Sequence, residues 1–435
     1  MSNTRHALLG APISYERYMS SPEFAALRGI PGTAVAAKAQ LYSDPRKRSL
    51  LFFLQSLSLK EGGLPRVAHS LSAALPSIGE EGLTKLLIEL CINPKIAVSF
   101  DVGNKPGSEV DRICVLLRDF QDRYADKVKS DFVLTTIGKE IFETLEYALA
   151  IGKMVVIEGD SGTGKTTAAE AWCAMHQGEA RFISLSGITH KTGFFRKLAG
   201  AIGLSAAKSK AIDMQVRVED FFRKTRLMLV IDEAHYLWPQ YQRSYSSPEL
   251  IDWVNTALVN HSVPVALICT NQFAKLKSRV ETQTGWTSEQ LEHRVKRYKA
   301  LSPRPTKQDL EGVAAKLLAL KWNAQEGRSN LSGSAPNRNF IKMIVGYALT
   351  CKMPLPAVAK AVEEARYHAL KQNRSQILAA DIQAALFDYQ IPSDEALRDA
   401  FEIRLNRVQM LPKQPELRRS ANSAVQLQRP CKAIA

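Results

Sequence analysis

The chain has 435 residues, enough for two or three domains, and its apolar content of 45% is ordinary for a soluble globular protein. A formal charge of +15 points to a polyanionic partner without choosing between DNA, RNA and acidic lipid. No uncharged apolar run reaches the ~18 residues of a membrane helix, and the N-terminus lacks the apolar stretch of a signal peptide, so a cytoplasmic protein with no membrane partner is expected. The six cysteines are scattered with no C-x-x-C pair, which argues against a zinc site and a disulfide framework.

Residues 1–60 read as an N-terminal extension with several prolines, the basic cluster Arg46-Lys47-Arg48 and a plausible helix near Asp44–Leu59. Residues 61–127 read as a small helical unit. Its clearest member carries Val110, Ile113, Cys114, Leu117, Phe120 and Tyr124 along one helical face. Short helices with tight turns suit either a helix-turn-helix-like, DNA-reading module or a plain bundle.

Residues 130–303 alternate strand and helix patterns. Strands are expected at Met154–Glu158, Arg181–Leu185, Leu227–Ile231 and Val263–Thr270. The fold class is therefore α/β, a parallel sheet flanked by helices. Residues 304–390 read as a helical lid, with helices at Thr306–Leu320, Asn337–Thr350, Pro354–Gln372 and Leu378–Tyr389, and a loop over Asn323–Pro336. Residues 391–435 read as a basic tail.

The chemistry starts at Gly159-Asp160-Ser161-Gly162-Thr163-Gly164-Lys165-Thr166, which fits G-x-x-x-x-G-K-[ST] between a strand and a helix that continues through Thr167. Such a P-loop cradles phosphates with backbone amides. Lys165 would reach the β- and γ-phosphates of ATP, and Thr166 would hold Mg²⁺. The apolar strand ending in Asp232-Glu233 has the Walker B pattern: Asp232 for the metal, Glu233 to orient and deprotonate water. Asn271, at the next strand end, is placed to sense the γ-phosphate. Arg294 is the candidate arginine finger for a neighbouring subunit, with Arg297 in reserve.

This order of P-loop, Asp-Glu strand, Asn strand, arginine and helical lid resembles the AAA+ ATPases over roughly 130–390. Within them, Phe132–Tyr147, the run Val155–Ala169, Ile231-Asp-Glu-Ala-His235, Asn271 and Arg294 resemble the family of the phage Mu B transposition protein; residues 61–127 resemble its N-terminal appendage more weakly. The resemblance implies an ATPase that assembles as homo-oligomers or filaments on double-stranded DNA, without sequence preference, and delivers that DNA to a transposase. It also implies backbone-tracking loops facing the DNA. Here the candidates are Thr189, Lys191, Arg196 and Lys197, whose hydroxyl and cations suit phosphate contacts. The family's lid often supplies an arginine, but Leu355–Ala361 has none; Lys360 is only nearby and Arg366 lies further on. The alternative is a helicase-loader-like or defence-system AAA+ ATPase, and a scaffold with purely structural ATP is a third reading. Trp172 and Trp253 read as core residues and His190 as a surface one.

Overall fold

The structure, a computed structural model, describes residues 29–42, 44–72, 79–91, 109–187, 190–205, 209–239, 247–322, 329–331 and 337–388. The expected extension before residue 29 and the basic tail 391–435 lie outside them, as does Thr189.

Five helices come first: α1 (Gly32–Leu41), α2 (Pro45–Glu61), α3 (Leu64–Ser72), α4 (Gly79–Cys91) and α5 (Glu109–Asp131). Helix α2 starts where Asp44 accepts a hydrogen bond from the Arg46 amide at 2.8 Å, with Pro45 preset for the first turn. It ends at Gly62, whose φ of 82° permits the left-handed cap.

The next elements are α6 (Thr136–Ile151), β1 (Met154–Glu158), α7 (Lys165–Met175), β2 (Ala180–Ser184), α8 (Lys191–Ala201), α9 (Ala211–Thr225) and β3 (Met228–Asp232). They are followed by α10 (Glu249–Trp253), β4 (Val265–Cys269), α11 (Gln272–Thr284), α12 (Glu289–Arg294) and β5 (Val295–Ala300). The strands form one parallel sheet in the order β2-β3-β4-β1-β5. Strands β3 and β4 are buried along their whole length, as strands covered on both faces must be. Alternation sends Met154, Val156, Leu229 and Ile231 into one core, and Val155, Ile157, Met228 and Val230 into the other. Trp172 and Trp253 are core residues, and His190 is exposed.

The first of these cores runs across the expected division at residue 60. That boundary falls in the last turn of α2, and Phe53, Leu54, Leu64, Leu71 and Leu117 share one cluster with Leu229 and Leu267 of the sheet. Arg181 on the edge strand β2 fixes the join. Its buried guanidinium donates to the Phe52 carbonyl at 2.8 Å and to Gln55 Oε1 at 3.0 Å, while Gln55 Nε2 donates to the Ile202 carbonyl at 3.0 Å. Helices of 29–131 therefore share one hydrophobic core with the sheet. Of the expected apolar stripe on α5, Leu117 is buried, and Cys114, Phe120 and Tyr124 pack against the same core.

The lid contains α13 (Lys307–Ala319), β6 (Leu320–Trp322), β7 (Ser329–Leu331), α14 (Arg338–Ala348), α15 (Pro354–Lys371) and α16 (Ala379–Asp388). The expected loop over 323–336 is not wholly a loop: its residues Ser329–Leu331 form β7, which pairs antiparallel with β6 so that Leu320 faces Leu331. Among the described residues, no helix is long and apolar enough to cross a membrane.

Candidate nucleotide site

The loop from β1 to α7 runs past the carboxyl end of the sheet. Gly162 and Gly164 have φ of 78° and 85°, a region closed to most side chains, so the motif's glycines are what let this loop turn. Lys165 is 9% exposed and bends back over the loop. Its Nζ donates to the carbonyls of Gly159 at 2.8 Å and Asp160 at 2.7 Å. Burial pushes the Lys165 ammonium pKa down, against the opposing pull of Asp232 and Glu233. Thr163 is buried, and its hydroxyl donates to the Asp160 carbonyl at 2.8 Å.

Asp232, 2% exposed, ends β3, where its Oδ2 accepts the Thr166 hydroxyl at 2.7 Å. Two residues 66 positions apart are thereby brought into the pairing that a shared Mg²⁺ requires. Glu233 follows in a left-handed conformation, φ 54°, that a non-glycine residue rarely adopts. Its Oε2 lies 3.2 Å from His235 Nδ1. Burial lowers the His235 pKa against the attraction of Glu233 and Asp232.

Lys165, Thr166 and Glu233 border a cavity of ≈ 520 Å³, within the usual range for small-molecule sites. One side is lined by Ser161, Gly162, Gly164, Lys165, Thr166, Thr167, Glu233 and Thr270; the other mainly by Phe132, Val133, Val313, Leu317 and Pro356, with Asp131, Thr135 and Lys316 alongside. The residues fit a nucleotide with its metal. Polar donors crowd one end, apolar side chains the other, and the buried Thr270 hydroxyl on the cavity has no hydrogen-bond partner among the described residues. An orphaned hydroxyl of this kind is costly unless a ligand satisfies it.

Residues 152–276 match the family described as AAA domain. The Mu-like prophage FluMu DNA transposition protein B of Haemophilus influenzae is 24% identical over 137 residues, 32% of this chain and 46% of that protein. The chain thus matches less than half the length of this relative. Residues 152–276 are thus an AAA domain, similar to part of that transposition protein. Among solved structures, the ORC2 protein of Aeropyrum pernix in its ADP form is similar at 14% identity and a TM-score of 0.42, over 58% of this chain and 67% of that one. The FIGL-1 AAA domain is similar at 16% identity and a TM-score of 0.36, over 62% and 83%.

Within this AAA+ core, the P-loop residues, Asp232 and Glu233 are gathered at one place. Asn271 is not. It is exposed at the start of α11 and does not border the cavity, whereas its neighbour Thr270 does. Arg294 ends α12, and the following Val295 pairs with Met154 at the far end of β1 from the P-loop. A five-residue strand spans about 13 Å, so Arg294 is not gathered with the P-loop of its own chain and does not line the cavity. Its Nη1 is buried without a hydrogen-bond partner among the described residues. Arg297 instead stacks 3.6 Å over the Tyr147 ring.

The lid meets the P-loop through apolar side chains. A Cβ added at Gly162 would come within 3.0 Å of the Met353 sulfur, and one at Gly164 within 3.4 Å of Leu355 Cδ1. Arg366 donates to the Leu317 carbonyl and does not itself line the cavity. Of the DNA candidates, Arg196 and Lys197 are exposed on α8, and Lys191 lies 3.4 Å from Glu249. The motifs did not identify Thr270, the apolar lid contacts or the Phe132–Val133 wall; Thr270 sits one position from the residue chosen for its amide.

Proposed function

We propose that the chain is an ATP-dependent DNA-binding ATPase that assembles on double-stranded DNA and presents it to a transposase. The observation that carries the ATPase part is the Thr166–Asp232 hydrogen bond beside Lys165 and Glu233. It joins the P-loop to the acidic strand end at the mouth of one cavity. The DNA and transposase parts rest on the likeness to the transposition protein B of the Mu-like prophage and on the charge of +15.

In this reading Lys165 and the amides of 161–166 hold the β- and γ-phosphates, and Thr166 and Asp232 hold Mg²⁺, which supplies charge neutralisation on the phosphates. Glu233 orients the attacking water and accepts its proton. Thr270 or Asn271 hydrogen-bonds the γ-phosphate. Arg294 reaches the site of a neighbouring copy, which explains its distance from its own P-loop. Lys191, Arg196 and Lys197 contact DNA phosphates, so binding falls steeply with salt and varies little with sequence.

Electron microscopy of the full chain on duplex DNA tests this directly. Ordered assemblies are expected with ATP and not with ADP. Identical images in both nucleotides would overturn the coupling, and sequence-limited binding with a shallow salt dependence would overturn the backbone mode of contact.

A further inference from the structure

The first turn of α13 is closed reciprocally. Asp309 Oδ2 accepts from the Thr306 amide at 2.9 Å, and the Thr306 hydroxyl accepts from the Asp309 amide at 3.1 Å. That is a capping box, complete in itself. The second carboxylate oxygen goes elsewhere. Asp309 Oδ1 accepts from the Thr136 amide at 2.8 Å and the Thr136 hydroxyl at 3.3 Å, at the start of α6 and 173 positions away. One carboxylate, 9% exposed, therefore closes the amino ends of a core helix and a lid helix at once. Both ends offer orphan amides and positive dipoles to an anion.

A second link lies alongside: Lys316 Nζ donates to the Ser130 carbonyl at 2.6 Å. Between the two links, Asp131, Phe132, Val133 and Thr135 line the cavity from the core, and Val313 and Leu317 line it from the lid. The backbone of α13 runs close enough that a Cβ on Gly312 would touch Val133 at 3.4 Å. Burial alone would raise the Asp309 pKa, but the amides and hydroxyls of Thr306 and Thr136 outweigh it and hold the carboxyl below its ordinary value.

We propose that Asp309 is a positioning residue that latches the lid to the core and sets the width of the apolar end of the cavity. It thereby governs how tightly nucleotide is held and how fast it leaves, and not the hydrolytic step. This rests on the nucleotide-site reading above. The latch places release under the control of a contact remote from the phosphates: any force that swings the lid must first pull Oδ1 from Thr136.

The test measures binding and release of a fluorescent ATP analogue by the full chain without DNA, together with turnover at saturating ATP. In Asp309→Asn, affinity should weaken about tenfold or more, since bonds to a charged acceptor are lost. Release should quicken in proportion, while saturated turnover stays within about threefold. The control is Glu140→Gln on α6, the helix that Asp309 caps. Glu140 accepts from the Ser302 hydroxyl at 2.7 Å and pairs with Lys299 at 3.4 Å, outside the cavity lining. It should leave affinity unchanged even where it lowers the melting temperature. Equal weakening in both variants, or Asp309→Asn binding like wild type, overturns the inference. If the Asn variant does not fold, Thr136→Val, which removes the hydroxyl donor to Asp309 Oδ1 and leaves the capping box intact, carries the same test, with weaker binding expected and unchanged binding overturning it. Lys165→Ala separates the two levels. If it binds like wild type, the site reading fails; if it alone loses nucleotide, only the latch fails.

Discussion

The two ends of the cavity are built on different principles. The phosphate end is made by residues close in sequence, 159–167, and by strand ends that a parallel sheet brings together automatically. The apolar end is a seam between segments near 132, 315 and 356, held by Asp309, Lys316 and apolar contact. One end is therefore fixed by covalent neighbours and a sheet, the other by tertiary packing alone. The contrast predicts that damage at the phosphate end removes function outright, while damage at the seam changes affinity and release by degrees.

The largest effect is expected for Lys165→Ala. Lys165 is the buried cation of the loop, and losing several charge-assisted bonds to phosphate should weaken nucleotide binding on the order of 100-fold or more. Isothermal titration measures it; binding within a few-fold of wild type would break the contrast. Glu233→Gln follows. Turnover should fall on the order of 10²–10⁴-fold with nucleotide affinity retained, because only proton transfer is removed. A steady-state assay paired with a binding titration separates the two parameters.

Thr270→Val against Asn271→Ala is a smaller and sharper comparison. Removing the orphaned Thr270 hydroxyl should stabilise the nucleotide-free protein by about 1 kcal/mol, since an unsatisfied buried group is relieved, and slow turnover about tenfold. If Asn271→Ala slows turnover more, the sequence assignment of the phosphate sensor stands, with the exposed side chain moving in when nucleotide binds. Melting curves and turnover read both.

The smallest effect is a pH dependence at the seam. The Asp309 carboxyl is held below its ordinary 3.8, so its contribution to stability is fully present above that value and is lost as pH falls below it, through the lowered native value. Chemical denaturation of wild type between neutral and strongly acid pH should show this loss. Asp309→Asn should lack that part of it.

The sequence motifs anticipated which residues the fold gathers at the loop end of the cavity, because a phosphate-binding pattern constrains residue type at fixed spacing. Glycines must adopt positive φ, one lysine must follow them, and a carboxylate must end the strand two places along the sheet from β1. The sheet itself was legible from its apolar runs, and the lid helices appear within two residues of their expected ends. Three features were not legible. The merging of residues 29–131 with the core depends on Arg181 meeting Gln55 and Phe52, contacts more than 120 positions apart that leave no local pattern. The hairpin at Leu320–Leu331 lies where turn-forming residues alone suggested a loop. The third is Thr270 in place of Asn271 at the cavity. Which of two adjacent polar residues faces inward depends on where β4 stops and α11 begins, a boundary that composition does not fix.

The central claim is that occupancy of this site decides whether the protein holds DNA. Fluorescence anisotropy of labelled duplex DNA with the full chain, in ATP, in ADP and without nucleotide, tests it most directly. The account predicts tight binding in ATP, weak binding in the other two states, and persistent binding by Glu233→Gln in ATP. Equal DNA affinity in all three states, shared by Lys165→Ala, would contradict it.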